Sequence, residues 1–369
     1  MDDRVTADPQ EPLPYAEPRG TDLARAHLRR RRCLAARAVL VRRSGPPRAV
    51  RRRCPSLVVR ERYRGGRPEG CPRRRRKALR RGSRHERRPV SAPAVAVTGS
   101  TGRLGGRVVR RLAAAGIAQR LIVRDAARAP ELPGADVAVT TYADPAASRA
   151  ALKGVETVFM VSGTEAPDRM AEHRTFIDAA VAAGVRRIVY TSFFGAAPQA
   201  TFTHARLHWE TEGYLRASGL GYVALRDNLY LDFMTALMGR DGVIRGPAGD
   251  GRVAAVAQDD IADAAAAILR DPAGHDGHVY DLTGPEELTL TEVAAILREH
   301  LARQVRYVAE TVEEAFASRA HYGAPVWEVE AWVSTYTAIA AGEMAGVTDD
   351  VRRLTGHPAT SLAELLARS

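Results

Sequence analysis

The stretch Val95-Ala-Val-Thr-Gly-Ser-Thr-Gly-Arg-Leu-Gly-Gly-Arg-Val-Val109 constrains this chain more than any other. A short apolar run ends in Gly99, Gly102 and Gly105, and a helical pattern of Val108, Val109 and Leu112 starts at once. That order predicts a buried strand, a tight turn and a helix N-terminus, the setting of a dinucleotide-binding G-x-x-G-x-x-G loop. Glycines let the backbone approach a pyrophosphate, and the free N–H groups of the first helical turn face that anion. Gly99, Ser100, Thr101, Gly102, Arg103, Leu104 and Gly105 are therefore the expected cofactor-binding segment. Three glycines alone also fit a plain Gly-rich turn. The strand–helix alternation that follows them is what favours a bound nucleotide.

That alternation continues along the chain. The spacing predicts a helix over about 104–116 and strands at Arg120–Arg124, Asp136–Tyr142, Thr157–Ser162, Arg187–Ser192 and Gly221–Arg226. Asp144 and Pro145 open a helix as cap and first residue, and Gly184 closes another. The Thr157–Ser162 strand is nearly all apolar, as a strand covered on both faces is. With right-handed crossovers the fold class is α/β, a Rossmann-type doubly wound parallel sheet with a smaller C-terminal substrate lobe. The expected division is an Arg-rich segment at 1–92, a NAD(P)-binding domain at 93–228 and a partly interleaved substrate-side lobe at 229–369.

Charge separates the first of these from the rest. Residues 1–90 hold 28 Lys+Arg against 9 Asp+Glu, and the remaining 279 residues hold 27 against 34. The whole-chain net charge of +12 describes neither part. Pro-rich, with Arg runs and little hydrophobic periodicity, the basic segment cannot bury enough apolar surface to offset its chain entropy. Nucleic-acid binding is open to it only through phosphate contacts, because stacking aromatics are nearly absent. Its early acidic residues do not suit a transit peptide, and Arg37 interrupts its one apolar run. The composition matches GC-rich DNA read ahead of a true start, with Val90 as the expected initiator if its codon is GTG. Cys33, Cys54 and Cys71 all fall here, in no zinc pattern, so the folded part has no catalytic thiol and no metal site is expected. No run reaches the ~20 residues of a membrane span, and a cytoplasmic monomer or homodimer is expected.

Ligands on such sheets lie at the carboxyl ends of the strands. Arg124 ends the second strand, where an Arg accommodates the 2′-phosphate of NADP and an acid binds the ribose of NAD. NADP(H) is favoured, and the neighbouring Asp125 leaves NAD(H) open. Ser162-Gly163, Thr191-Ser192-Phe193 and Asp227-Asn228 converge on the nicotinamide end. Asn228 and Tyr230 follow the sixth strand, where the chain enters the substrate side.

Further along, Asp259 and Asp260 are expected to cap a helix over 261–269, and Thr289 or Thr291 one that runs to His300. A helix over 326–341 carries an apolar stripe of Val329, Trp332, Val333 and Tyr336, read first as core packing, with a pocket wall or subunit contact as the other readings.

Val97-Thr-Gly-Ser-Thr-Gly-Arg-Leu-Gly105, Val189-Tyr-Thr-Ser192 and Phe202-Thr-His-Ala-Arg-Leu-His-Trp-Glu-Thr-Glu212 resemble the atypical short-chain dehydrogenase/reductases of the NmrA-like group. So do Leu225-Arg-Asp-Asn-Leu-Tyr-Leu-Asp-Phe233 and Thr348-Asp-Asp-Val-Arg-Arg-Leu-Thr-Gly356. The resemblance runs from about Ala94 to the C-terminus. It implies an NADPH-dependent oxidoreductase that passes hydride to a small electrophilic acceptor, a quinone or conjugated aromatic. Its alternative is a non-catalytic NADP-binding redox sensor. The superfamily's Tyr-x-x-x-Lys pair is missing, which disfavours unactivated ketones and suits acceptors that take hydride readily. Ser192 matches the position of the superfamily's active-site serine, and His208 a helix position near the cofactor. Ser192, His208 and Asn228 are the expected catalytic group, with Phe193 and Tyr230 beside the acceptor.

Overall fold

The computed structural model describes residues 94–368. The Arg-rich segment, with Val90 and the three cysteines, lies outside the described residues.

The first part of the chain alternates as its periodicity requires. In order come β1 (Val95–Val97), α1 (Arg103–Ala114), β2 (Gln119–Val123), β3 (Ala135–Val139), α2 (Pro145–Ala151) and β4 (Thr157–Met160). Then follow α3 (Arg169–Ala183), β5 (Arg187–Phe193), α4 (Thr203–Ala217) and β6 (Gly221–Asp227). Asp144 caps α2 by accepting from Ala147 N, and Gly184 ends α3 at φ 81°, a left-handed turn that glycine adopts without strain.

The lobe side adds β7 (Val243–Gly246), β8 (Arg252–Val253), α5 (Gln258–Arg270), β9 (Val279–Leu282), β10 (Leu288–Thr289) and α6 (Leu290–Leu301). After these come β11 (Arg306–Ala309), α7 (Val312–Arg319), α8 (Val326–Ala340), α9 (Asp350–Thr355) and α10 (Leu362–Ala367). Thr289 closes a capping box with Glu292, and Thr311 does so with Glu314.

Seven parallel strands form the central sheet in the order β3-β2-β1-β4-β5-β6-β9. The order reverses between β1 and β4, which opens a crevice above their carboxyl ends. One face packs Val108, Val109 and Leu112 of α1 with Ile261, Ala265 and Ile268 of α5. The other packs Ala151, Phe176, Ile177 and Leu215 from α2, α3 and α4. A third core joins Phe202, Met234, Ile244, Leu290, Leu297 and Tyr336 in the lobe.

One local expectation is corrected. Asp259 and Asp260 do not cap α5, whose N-cap is Ala257 with no side-chain bond. Both lie inside the first turn, where a carboxylate meets the positive end of the helix dipole. Asp260 accepts from Thr360 N at 2.7 Å, and Arg111 bonds Asp259 and Asp263, tying α1 to α5. The chain also leaves the sheet after β6 only for a while, because α5 and β9 return to it.

Candidate functional site

The glycine loop leaves β1 at Gly99, whose φ of 60° is left-handed. Gly102 N donates to Gly99 O at 2.8 Å and closes the turn. Gly102 then stands at the N-cap of α1 with no capping side chain, and no acid occupies the first turn. The end of α1 is thus built for an anion. Gly105 packs so tightly that a Cβ there would lie 2.3 Å from Gly99 O and 2.9 Å from Thr98 O. Buried Ser100 donates to Val97 O at 2.6 Å, so its hydroxyl braces the loop, while Thr101 is exposed at the tip. Leu104 is buried against the sheet, and Arg103 lies over the Phe233 ring at 5.0 Å.

Arg124 follows β2 and is exposed. Its neighbour Asp125 accepts from Ala127 N at 2.9 Å and caps a short 3-10 turn at Ala126–Arg128. The one acid at the ribose position is therefore committed to local structure, which fits a 2′-phosphate better than a free diol.

The loop after β4 is pinned by its neighbours. Val161 N donates to Thr98 Oγ1 at 2.9 Å and Ser162 N to Thr191 Oγ1 at 2.8 Å. Gly163 N donates to His173 Nε2 at 2.9 Å, which leaves the proton on Nδ1 to face Thr211 Oγ1 at 3.0 Å. Burial, with the charge of Arg169, drives the His173 pKa down to about 3, so this staple is neutral.

The expected catalytic group is placed together but turned inward. Ser192 is 1% exposed and donates to Glu212 Oε1 at 2.6 Å. Glu212 is fully buried and receives both Arg226 Nε and Nη2 at 2.8 Å, with Arg216 at 3.4 Å. Asn228 is also fully buried, donating to Met344 O at 3.0 Å and accepting from Leu229 N at 2.8 Å. It holds the turn out of β6. His208 lies between Tyr190 Oη (2.9 Å from Nδ1) and Arg169 Nη2 (3.2 Å from Nε2). Arginine only donates, so Nε2 accepts and the proton sits on Nδ1, facing Tyr190. Burial first, then the Arg169 charge, holds the His208 pKa far below its usual value. The protein directs none of these three side chains at the lobe cavity. Each already has hydrogen-bond partners inside the protein.

The cavity itself encloses about 810 Å³, open mouth included. Phe202, Tyr230, Phe233, Trp332 and Tyr336 supply aromatic walls, and Leu229, Met234 and Leu237 add aliphatic ones. The α8 stripe thus does two jobs: Val329 and Val333 pack, while Trp332 and Tyr336 also face the cavity. Phe193 is not in the wall but stands behind it, 4.8 Å from the Phe202 ring. Polar groups are few. Glu165 Oε2 lies 3.0 Å from His204 Nε2 across a poorly aligned contact. Burial pushes the Glu165 carboxyl up, but His204 and Arg169 outweigh it and hold it below the usual range. Tyr230 donates to Asp227, and burial pushes the Asp227 carboxyl up to about 7.

Arg169, His173 and Glu212 were not singled out in the sequence. Each is an ordinary polar residue on a helix or strand end, and only its burial makes it part of the site. Among the described residues one group has metal-ligand proximity, Asp260, Asp263 and His357. Thr360 and Arg111 already bond its two carboxylates.

The chain is similar to proteins of known structure and activity. Quinone oxidoreductase 2 of Escherichia coli is 35% identical over 277 residues, 73% of this chain and 96% of that protein. The NAD(P)H azoreductase of Xenophilus azovorans is 35% identical over 275 residues, with the same shares of both chains. The structure of the Escherichia coli NADPH-dependent quinone oxidoreductase with NADPH superposes with a TM-score of 0.69 at 34% identity, covering 74% of this chain and 99% of that one. Triphenylmethane reductase of Citrobacter with NADP(H) gives a TM-score of 0.68 at 30% identity, with the same coverage. The NmrA-like family model matches residues 92–351, and the chain belongs to the NmrA-like family.

Proposed function

We infer that the protein is an NAD(P)H-dependent reductase that transfers hydride to a small quinone-like or conjugated aromatic acceptor. The observation that carries this reading is the contact between cofactor loop and cavity: Arg103, from the glycine loop, covers Phe233 of the aromatic wall. A nucleotide bound at Gly99–Gly105 and a flat acceptor in the cavity are then neighbours. Relatives named for quinone, azo and triphenylmethane acceptors support the same chemistry.

The residues fit a dinucleotide. Gly105 leaves no space for a side chain between loop and helix, and α1 opens with uncapped donors. Bound NADPH would supply the hydride. Gly99–Gly105 would hold its pyrophosphate, Arg124 its 2′-phosphate, and the Ser162–Gly163 turn, pinned by Thr191 and His173, its nicotinamide end. Aromatic walls would stack a planar acceptor and exclude water. Catalysis on this reading is mainly proximity, with Ser192, His208 and Asn228 as positioning residues that keep the strand ends rigid.

Among the described residues no helix is long and apolar enough to cross a membrane. A cytoplasmic location and a monomeric or homodimeric state belong to the same proposal, checked by fractionation and light scattering.

The deciding experiment titrates the purified protein with NADPH and NADH, then follows nicotinamide absorbance with a quinone, an azo dye and a triphenylmethane dye. NADPH binding with acceptor-dependent oxidation is expected, and Arg124→Ala should reduce the preference for NADPH about tenfold, the weight of a charge-assisted contact. Tight binding without turnover across the panel would overturn the reductase in favour of a sensor.

A further inference from the structure

Arg169 opens α3 and is 3% exposed. Its guanidinium carries five N–H donors, and burial of so many without partners is costly. The protein supplies one partner, His208 Nε2 at 3.2 Å from Nη2. Nε and Nη1 have none, and among the described residues no carboxylate pairs with it. Unpaired donors on a buried cation cost more than those of a neutral group. A fold that keeps them has a use for them.

Position says what that use is. Arg169 follows the loop after β4, and its charge acts on Glu165 of that loop, Tyr190 of β5 and Asp227 at the end of β6. These groups bracket the carboxyl ends of the three strands where the nicotinamide half of a dinucleotide lies. The guanidinium is also held in place. His208 fixes Nη2, and Tyr190 fixes His208 in the tautomer that accepts.

We propose that Nε and Nη1 of Arg169 bind a carbonyl oxygen in the hydride-transfer site, either the carboxamide oxygen of the nicotinamide or the carbonyl oxygen of the acceptor. The proposal rests on the reductase reading. It replaces the missing Tyr/Lys pair with a permanent charge that needs no proton of its own to stabilise oxygen.

Full-length Arg169→Met and Arg169→Lys variants test it. Without ligand, the methionine variant should be at least as stable to urea as the native protein, because an orphaned charge is removed. NADPH and adenosine 2′,5′-bisphosphate, which lacks the nicotinamide half, are then titrated by calorimetry. A tenfold or greater loss of NADPH affinity with unchanged bisphosphate affinity assigns the donors to the carboxamide. Unchanged affinities with a tenfold fall in kcat/KM for a quinone assign them to the acceptor. The lysine variant, which keeps the charge but not the fork, should fall between native and methionine. Values within twofold throughout overturn the proposal, as does an equal loss for both ligands with lowered stability. If the native protein binds NADPH no better than the bisphosphate and turns over no acceptor, the reductase reading fails first.

Discussion

Replacing Gly105 by alanine should separate the stability of the cofactor loop from the intrinsic gain of removing a glycine from a helix. A Cβ at 105 would sit 2.3 Å from Gly99 O, 2.7 Å from Gly99 C and 2.9 Å from Thr98 O, all backbone atoms. Comfortable contacts start near ~3.5 Å, so loop and helix must part by about 1 Å. Overpacking of this kind costs about 1–3 kcal/mol, against a propensity gain of about 1 kcal/mol. Gly106 is the internal control. Its Cβ would meet only the flexible Arg110 Nη1 at 3.3 Å and Ser100 O at 3.4 Å, so most of the propensity gain survives. In urea melts with matched slopes, Gly105→Ala should therefore be about 2 kcal/mol less stable than Gly106→Ala. Moving Gly99 also moves the carbonyl that closes the turn on Gly102 N, and NADPH affinity should fall at least about tenfold for Gly105→Ala alone. Equal stability and equal NADPH affinity in the two variants would refute the reasoning, because the close approach would then carry no energy.

Three further perturbations follow from the buried charges. Asp227 titrates at about 7 in the fold against an ordinary value near ~3.9, so the native state binds the extra proton and its contribution is lost as pH rises through 7. Asp227→Asn should match the native protein below about pH 4 and exceed it by up to about 4 kcal/mol at pH 8 in urea melts; a constant difference would count against it. His173 has the opposite slope: neutral in the fold down to about 3, it contributes stability above its unfolded value near ~6.5 that is lost as pH falls. Between pH 6 and 4 the native protein should lose stability more steeply than His173→Gln, by up to about 1.4 kcal/mol per pH unit, and parallel curves would exclude it. Glu212→Ala strands Arg226 and the Ser192 hydroxyl at a fully buried position, and a loss of about 3–5 kcal/mol is expected in the same assay. A loss below about 1 kcal/mol would mean that solvent reaches the pair.

The order of strands and helices, the glycine loop and the capped turns were legible in the sequence because each is a local pattern. An apolar run before Gly99, a period of three to four residues after Gly105 and the Asp144-Pro145 pair declare themselves within a few positions. Residue conformational preference sets them, and tertiary packing only confirms the choice. Boundaries moved by one to three residues. Asp259 and Asp260 failed as caps because Arg111 and Thr360, far away in the chain, took them first.

The site was different in kind. Ser192, His208 and Asn228 were found as neighbours because strand ends converge, but which way each side chain points was not written near it. Glu212 claims Ser192 from 20 residues away, Arg169 claims His208 from 39, and Met344 claims Asn228 from 116. Burial then sets charge: Asp227 is raised, His173 and His208 are neutral, and Arg169 keeps two donors without a partner. Desolvation is a property of everything packed around a group, and no window of sequence contains it. By itself, the sequence determined that this chain builds a dinucleotide crevice under a small lobe. Tertiary structure alone decided which of the polar groups at that crevice are braces and which remain available to a ligand, since only packing brings their partners within reach.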